Sequence, residues 1–296
     1  MWVSATAGSD ANPCTRAEPC RDLSTAVNAV VEDGEVVILD SGVYDAVEIT
    51  KSVQVVAPEG VHAVIAPAAG IPVPESATGA TAAVLINAPD ATVILRNLTV
   101  NREGAIHIGI RVSSVRTLQI ENCVVNAFNG PGLEYGGIFF EASGRLSVRD
   151  TTLRSNSRGI VVTAPSGGTA HASIDGCRLD GNTFGVVAFG GARTTVSNTV
   201  AANGSATGFA VSAAPGTTSH FSCDHCTASN LTMGFVAGEG AGAVMRVSNS
   251  VATNNSYGFY KSGLYSTFKS LAGTNMVEGN QTNRFGQIIT FSPDAP

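Results

Sequence analysis

Apolar and polar residues alternate along this chain in short runs, and hardly anywhere at helical spacing. Glu35-Val36-Val37-Ile38-Leu39, Val47-Glu48-Ile49 and Val53-Gln54-Val55-Val56 are early examples, and a two-residue period of this kind marks strands with one buried face. Asp22 to Val30 departs from it. There Leu23, Ala26, Val27 and Val30 share one face of a helix, which predicts a short N-terminal capping helix begun by Asp22 or Ser24 and plugging the first coil.

From about residue 80 onward the pattern repeats. Glycine followed by apolar residues recurs at Gly137, Gly159, Gly185, Gly208, Gly234 and Gly258, in steps of 22 to 26 residues. Asn156, Asn182, Asn203, Asn230 and Asn255 sit just ahead of the later glycines. A third marker lies inside each unit: Arg96-Asn97-Leu98, Glu121-Asn122-Cys123, Arg149-Asp150-Thr151, Ser197-Asn198-Thr199, Cys223-Asp224-His225 and Ser248-Asn249-Ser250. Units of this length without a helical pattern bury their inward side chains only by stacking on one another, about 4.8 Å apart. Asparagine at a corner tolerates left-handed backbone, and stacked amides can hydrogen-bond from coil to coil. Glycine suits the points where neighbouring backbones pass closely. The expectation is an all-β parallel β-helix of about ten coils, on the order of 50 Å long. An N-terminal cap would occupy residues 1–33, the coils 34–283 and a tail 284–296, in one domain overall.

These units resemble the right-handed parallel β-helix repeat of the pectate-lyase-like superfamily over about residues 80 to 283. The opening, from Trp2-Val3-Ser4 through Cys14 to Pro19-Cys20-Arg21, resembles the N-terminal region of uncharacterised bacterial β-helix proteins. The resemblance implies a fold and is nearly silent on function. For members that cleave uronate polymers it implies stacked Asp residues for hydrolysis, or an Arg or Lys base beside acidic groups, often with Ca²⁺, for β-elimination.

A hydrophobic content of 44% suits a folded chain, and a net charge of −6 without any Lys/Arg run argues against nucleic acid and anionic membranes as partners. An acidic polysaccharide would need a local basic groove. No apolar stretch is long enough for membrane insertion, and a secreted or cell-surface location is expected, with any signal sequence removed ahead of Met1-Trp2. Cys14 and Cys20 close a short Pro-containing loop and could form a disulfide. Cys123 and Cys177 lie two units apart, about 10 Å, too far to bond. His220, Cys223, His225 and Cys226 have the composition of a zinc site. Strand alternation, however, sends the two cysteines to opposite faces and Cys226 to the position of Val200 and Val251, so neither metal nor cofactor is expected, Ca²⁺ entering only with a lyase.

After each marker glycine the first and third residues read as core, as in Ile138 and Phe140. The second points outward: Arg111, Phe139, Val161, Val187, Ala210, Val236 and Tyr260. Two residues further on stand Ser113, Glu141, Thr163, Phe189, Ser212, Gly238 and Ser262, where Glu141 alone is a carboxylate. Were the chain an enzyme, Arg111, Glu141 and Arg145 would carry the chemistry. The wider set of Arg111, Arg116, Glu134, Glu141, Arg145, Arg149, Asp150, Arg154 and Arg158 could line a groove for an acidic sugar, with Glu134 and Arg149 as ligand contacts. Ordinary surface ion pairs are the plainer account. Tyr257, Tyr260, Lys261, Tyr265 and Lys269 make a second cluster that could stack on sugars or simply shield the last coils. The apolar row Phe139, Val161, Val187 and Val236 exceeds the exposure of a soluble monomer. Its cover would be the segment around Ile71 to Thr81, the tail Ile288-Ile289-Thr290-Phe291, or another chain in a homo-oligomer. These features together predict a secreted or surface binding or structural module, glycan-binding or self-associating. A polysaccharide lyase or glycoside hydrolase is the alternative.

Overall fold

A computed structural model describes residues 1–74, 76 and 78–292. The chain winds as a parallel β-solenoid of about ten coils, each contributing a strand to three faces. Face A collects the strands that follow the marker glycines, among them Gly136–Glu141, Arg158–Thr163, Phe184–Phe189, Thr207–Val211, Met233–Ala237 and Tyr257–Lys261. Face B collects the next strand of each coil, such as Arg145–Arg149, Ala170–Asp175, Ala192–Ser197, Ser219–Asp224 and Ala243–Ser248. Face C is a ten-stranded sheet of short strands such as Thr152–Arg154 and Arg178–Asp180. In two early coils a single strand, Thr81–Arg96 and then Ile108–Glu121, runs through faces A and B without a break.

Register lines equivalent residues up in columns. Arg111 pairs with Phe139, Phe139 with Val161, Val161 with Val187, and the row continues through Ala210, Val236 and Tyr260. Inward columns are fully buried: Ile138, Ile160 and Val186 give way to Phe209, Phe235 and Phe259, whose rings succeed one another at 5.1 and 5.5 Å. The marker glycines form a column of their own because a side chain there would strike the next coil. A methyl group on Gly185 would sit 2.3 Å from the Gly208 carbonyl oxygen, and one on Gly159 2.6 Å from that of Gly185.

The asparagine markers divide into two kinds. Asn203 and Asn230 sit at the corner between faces C and A with φ of 58° and 56°. Asn156, Asn182 and Asn255 lie one position later, buried, with side chains turned inward. The Asn156 backbone N–H donates to Asn182 Oδ1 at 3.0 Å, and the Asn182 Nδ2 donates to the Leu153 carbonyl at 2.8 Å. The corner between faces B and C is left-handed in every coil from Asn97 to Asn249, through Asn122, Asp150, Gly176, Asn198 and His225. His225, not Asp224, occupies that corner, so the fifth marker phrase slides by one residue.

That slip corrects the cysteine reading. Cys226 shares a column with Thr199 and Ser250, since Thr227 is the partner of Val200 and Val251. The left-handed residue between strands breaks the alternation, both cysteines point into the core, and Cys223 and Cys226 are joined by a disulfide with Cα atoms 5.9 Å apart. Cys14 and Cys20 form a second disulfide. Cys123 and Cys177 are free and buried.

Both ends depart from expectation. The helix spans Leu23–Ala29, with Leu23, Ala26 and Val27 buried, but Asp22 makes no side-chain cap hydrogen bond and the Ser24 hydroxyl donates to the Ala46 carbonyl instead. The stretch read as a tail continues the solenoid: Thr282–Phe285 pairs with Tyr257–Lys261, and Ile288–Phe291 with Thr267–Leu271. Residues 293–296 of that tail lie outside the described residues. Ile288–Phe291 pairs with the strand edge that the preceding coil offers, Ile288 falling in register with the buried Phe268.

Candidate functional site

Two long connections between faces C and A, one described over 66–74, 76 and 78–80 and the other over 127–135, rise beside face A and convert its edge into a cleft. The first folds back as Ile71–Pro72, antiparallel to the start of Thr81–Arg96. Its Val73 and Ala80 pack with Ala82, Leu85, Ile108 and Phe139 into a small cluster apart from the main core. The chain therefore covers one end of its own apolar row. Phe139 is 5% and Val236 8% exposed, which removes both as contacts for another chain, while Val161 and Val187 stay half-buried. Ile288–Phe291 does not reach this row, because its strand lies on face B.

The second connection is held by arginines. Arg158 Nη1 donates to the Leu133 carbonyl at 2.7 Å, and its guanidinium lies 5.7 Å from the Phe184 ring. Burial lowers the Arg158 pKa from its ordinary value, with Glu134 opposing the shift. Arg102 stacks over Tyr135 at 5.2 Å, and Tyr135 lies 4.8 Å from His107. Leu133 and Glu134 are thereby fixed at the rim.

Between these walls lies a cleft of about 880 Å³. Arg111 Nη2 meets Glu141 Oε2 at 2.6 Å on its floor, with side chains 17% and 33% exposed. Asn87, Ser113, Glu134 and Thr163 add polar groups, and Phe189 presents a ring that is 43% exposed. An apolar platform beside a few convergent polar groups is the usual make-up of a small-molecule site. The chemistry on offer is recognition of hydroxyls by the Arg111–Glu141 pair and of a flat apolar face by Phe189.

The other predicted residues stand elsewhere. Arg145, proposed with Arg111 and Glu141, is on face B, paired with Thr117 and His171. Arg149 lies on the same strand. Successive strands of one coil turn to different sides of the solenoid, so nearness in sequence does not bring these groups to one cleft. Tyr260 lies six coils from Arg111, roughly 29 Å by the strand spacing, stacked on Phe285 at 4.8 Å beside Tyr257. Lys261 Nζ donates to the Gly263 carbonyl at 2.7 Å. These last residues pack the end of face A. Phe189, Leu133 and Val73 line the cleft without any mark in the repeat that points to them, although the connection before Thr81 stands out by its length. Among the described residues no three His, Cys, Asp or Glu side chains gather closely enough to hold a metal ion, and no helix is long and apolar enough to cross a membrane.

A family model described as a right handed beta helix region matches residues 166–281. None of the curated proteins matches the chain. Among solved structures, a rhamnogalacturonan lyase superposes with a TM-score of 0.65 at 13% identity, covering 97% of this chain and 84% of its own. The polygalacturonase from Erwinia carotovora ssp. carotovora gives 0.61 at 14% identity, over 98% and 91%. The GH136 lacto-N-biosidase from Eubacterium ramulus gives 0.62 at 12% identity, and the chain spans 66% of its length. At such identities the likeness is one of fold.

Proposed function

From a chain that carries the pectate-lyase-like right-handed β-helix fold, we propose a glycan-binding module that works through the face A cleft. The observation that carries this reading is the meeting of the exposed Phe189 ring and the Arg111–Glu141 pair in one cleft walled by the chain's own long connections. A sugar ring can lay its apolar face on the aromatic ring while its hydroxyls exchange with the ion pair. Binding is favoured over cleavage by the arrangement of carboxylates. The two outward columns of face A supply Glu141 as their only acid from Arg111 to Tyr260 and Ser262, and that acid is already paired. Hydrolysis needs two free carboxyls facing each other across the bond, and of the two that line the cleft, Glu134 and Glu141, the second is held by Arg111.

An extracytoplasmic location belongs to the same reading and is supported by the two disulfides, which persist in oxidising compartments. So does an N-terminal capping role for the helix Leu23–Ala29, supported by the burial of Leu23, Ala26 and Val27 in the main core.

Titration calorimetry against a panel of neutral and uronate oligosaccharides tests the cleft. One class should bind, and Phe189→Ala should weaken it by about 1–2 kcal/mol. Binding unchanged in Phe189→Ala, or no binding across the panel, would sink the proposal. Ultraviolet-absorbing unsaturated products or new reducing ends, with Ca²⁺ present, would replace it with the lyase or hydrolase alternative acting at Arg111 and Glu141.

A further inference from the structure

Face B carries a second feature, independent of the cleft. Its first outward column reads Arg145, His171, Arg193 and His220 over four consecutive coils, each paired in register with the next. In the following two coils the basic residue moves to the neighbouring column, as Arg246 and then Lys269. Six successive coils thus present one basic side chain apiece. The same stretch of these two columns holds no Asp or Glu, in a chain that has 23 acidic against 17 Lys and Arg residues. Beside the first four runs a row of hydroxyls: Ser147, Ser173, Thr195 and Ser222.

Four of the six, Arg145, Arg193, Arg246 and Lys269, are standing cations, while burial and the neighbouring Arg246 and Arg193 lower the His220 pKa from its ordinary value. Arg145, His171 and Arg193 are exposed, and among the described residues none of the six basic side chains lies in an ion pair. Arg145, Arg149, His171 and Arg193 line one trough of about 520 Å³. Arg145 and His171 also line the adjoining hollow of about 370 Å³, so the depression is continuous along the solenoid. One carboxylate, Asp90, lines the smaller hollow together with Arg116, while Asp175 and Asp224 sit two positions further toward the corner, where Ser197 and Asn198, and Ser248 and Asn249, donate hydrogen bonds to them.

We infer that face B binds a linear polysaccharide bearing carboxylate or sulfate groups, laid along the solenoid axis with its charges on the basic ladder. One basic side chain per coil recurs at about 4.8 Å, Arg or Lys on four of the six coils and a histidine donor on the other two, a spacing comparable to the advance of one sugar residue along an extended polymer. The hydroxyl row provides partners for uncharged sugar oxygens. Single-stranded nucleic acid fits less well. It relies on stacking platforms, and no Phe, Tyr or Trp stands in these two columns from Arg145 to Lys269.

The test uses the whole chain with three probes: alginate for carboxylate, dextran sulfate for sulfate and neutral dextran as the reference. Dextran should not bind. At least one anionic polymer should bind, with affinity falling about tenfold as ionic strength rises from about 0.05 to about 0.3 M. The double variant Arg145→Thr/Arg193→Thr should weaken that binding by about tenfold or more. Threonine already occupies this column at Thr117 and Thr267, so the strand accommodates it, and an unchanged circular dichroism spectrum verifies the fold. Arg178→Thr, an exposed position on face C, should leave binding as it was. Unaltered affinity in the double variant, an equal loss in Arg178→Thr, or equal affinity for single-stranded DNA at the same ionic strength would each overturn the assignment.

Discussion

A buried residue in this solenoid answers to the coil above and the coil below more than to its neighbours in sequence. Gly185 adopts ordinary extended backbone, so conformational freedom does not explain it. What excludes a side chain is the Gly208 carbonyl oxygen, 2.3 Å from where a methyl would stand. Gly185→Ala should therefore lower stability by about 1–3 kcal/mol, the usual cost of overpacking a tight contact. Urea unfolding would measure it, and a wild-type midpoint would show that the coils part without strain. The two free thiols obey the same rule. Burial pushes Cys123 up to about 12 and Cys177 up to about 11, and each backbone N–H accepts its place in the stack by donating to a threonine hydroxyl of the next coil. Their size and burial were readable as core or turn positions. The Cys223–Cys226 disulfide was not, because it depends on a single left-handed residue, His225, that shifts the register of the strands on either side.

Corners are the elements that hold the coils in register. Asn156, Asn182 and Asn255 satisfy backbone groups inside the turn between faces C and A, while Asn198 and Asn249 stand outside the turn between B and C and donate to Asp175 and Asp224. Both aspartates titrate below the ordinary carboxylate range, Asp175 chiefly through the Ser197 hydroxyl and Asp224 chiefly through that of Ser248. A depressed folded-state pKa contributes stability above the unfolded value that is lost as pH falls through the folded one. Stability should thus decline below about pH 4. Asp175→Asn/Asp224→Asn, which keeps an acceptor oxygen in place, should flatten that decline. Urea midpoints between about pH 2.5 and 5 would check it; identical slopes in both proteins would exclude a role for these corners. The recurrence of asparagine revealed that corners exist. Which asparagines turn inward depended on a one-residue difference that a repeat of uneven length conceals.

At the scale of the whole molecule each inner coil is supported by two neighbours, and among the described residues the last coil pairs only with the one before it. The strands Thr282–Phe285 and Ile288–Phe291 are exposed at most positions. Their amides should exchange with deuterium first, ahead of strands such as Phe184–Phe189 in the middle of the stack. Mass-spectrometric exchange would show this gradient, and uniform protection along the chain would contradict one-dimensional stacking. The cleft belongs to this scale too. Arg111, Glu141 and Phe189 come from three coils, and the walls come from connections of irregular length that no repeat specifies. Arg145 stands four residues after Glu141 in sequence, but a single turn of the coil carries it to another face, where register aligns it with His171 and Arg193.

By itself, the sequence determined the solenoid: alternation set which side chains go inward, the glycine and asparagine spacing set the length of a coil, and the row from Arg111 to Tyr260 followed from both. These are local properties repeated, and repetition makes them legible. Tertiary structure alone decided which columns on different strands share a face, how the two long connections close over face A, and where Cys226 points. The first two depend on how segments more than twenty residues apart are brought together, and the third on one left-handed residue, His225, because a shift of one position reverses the side to which a side chain turns.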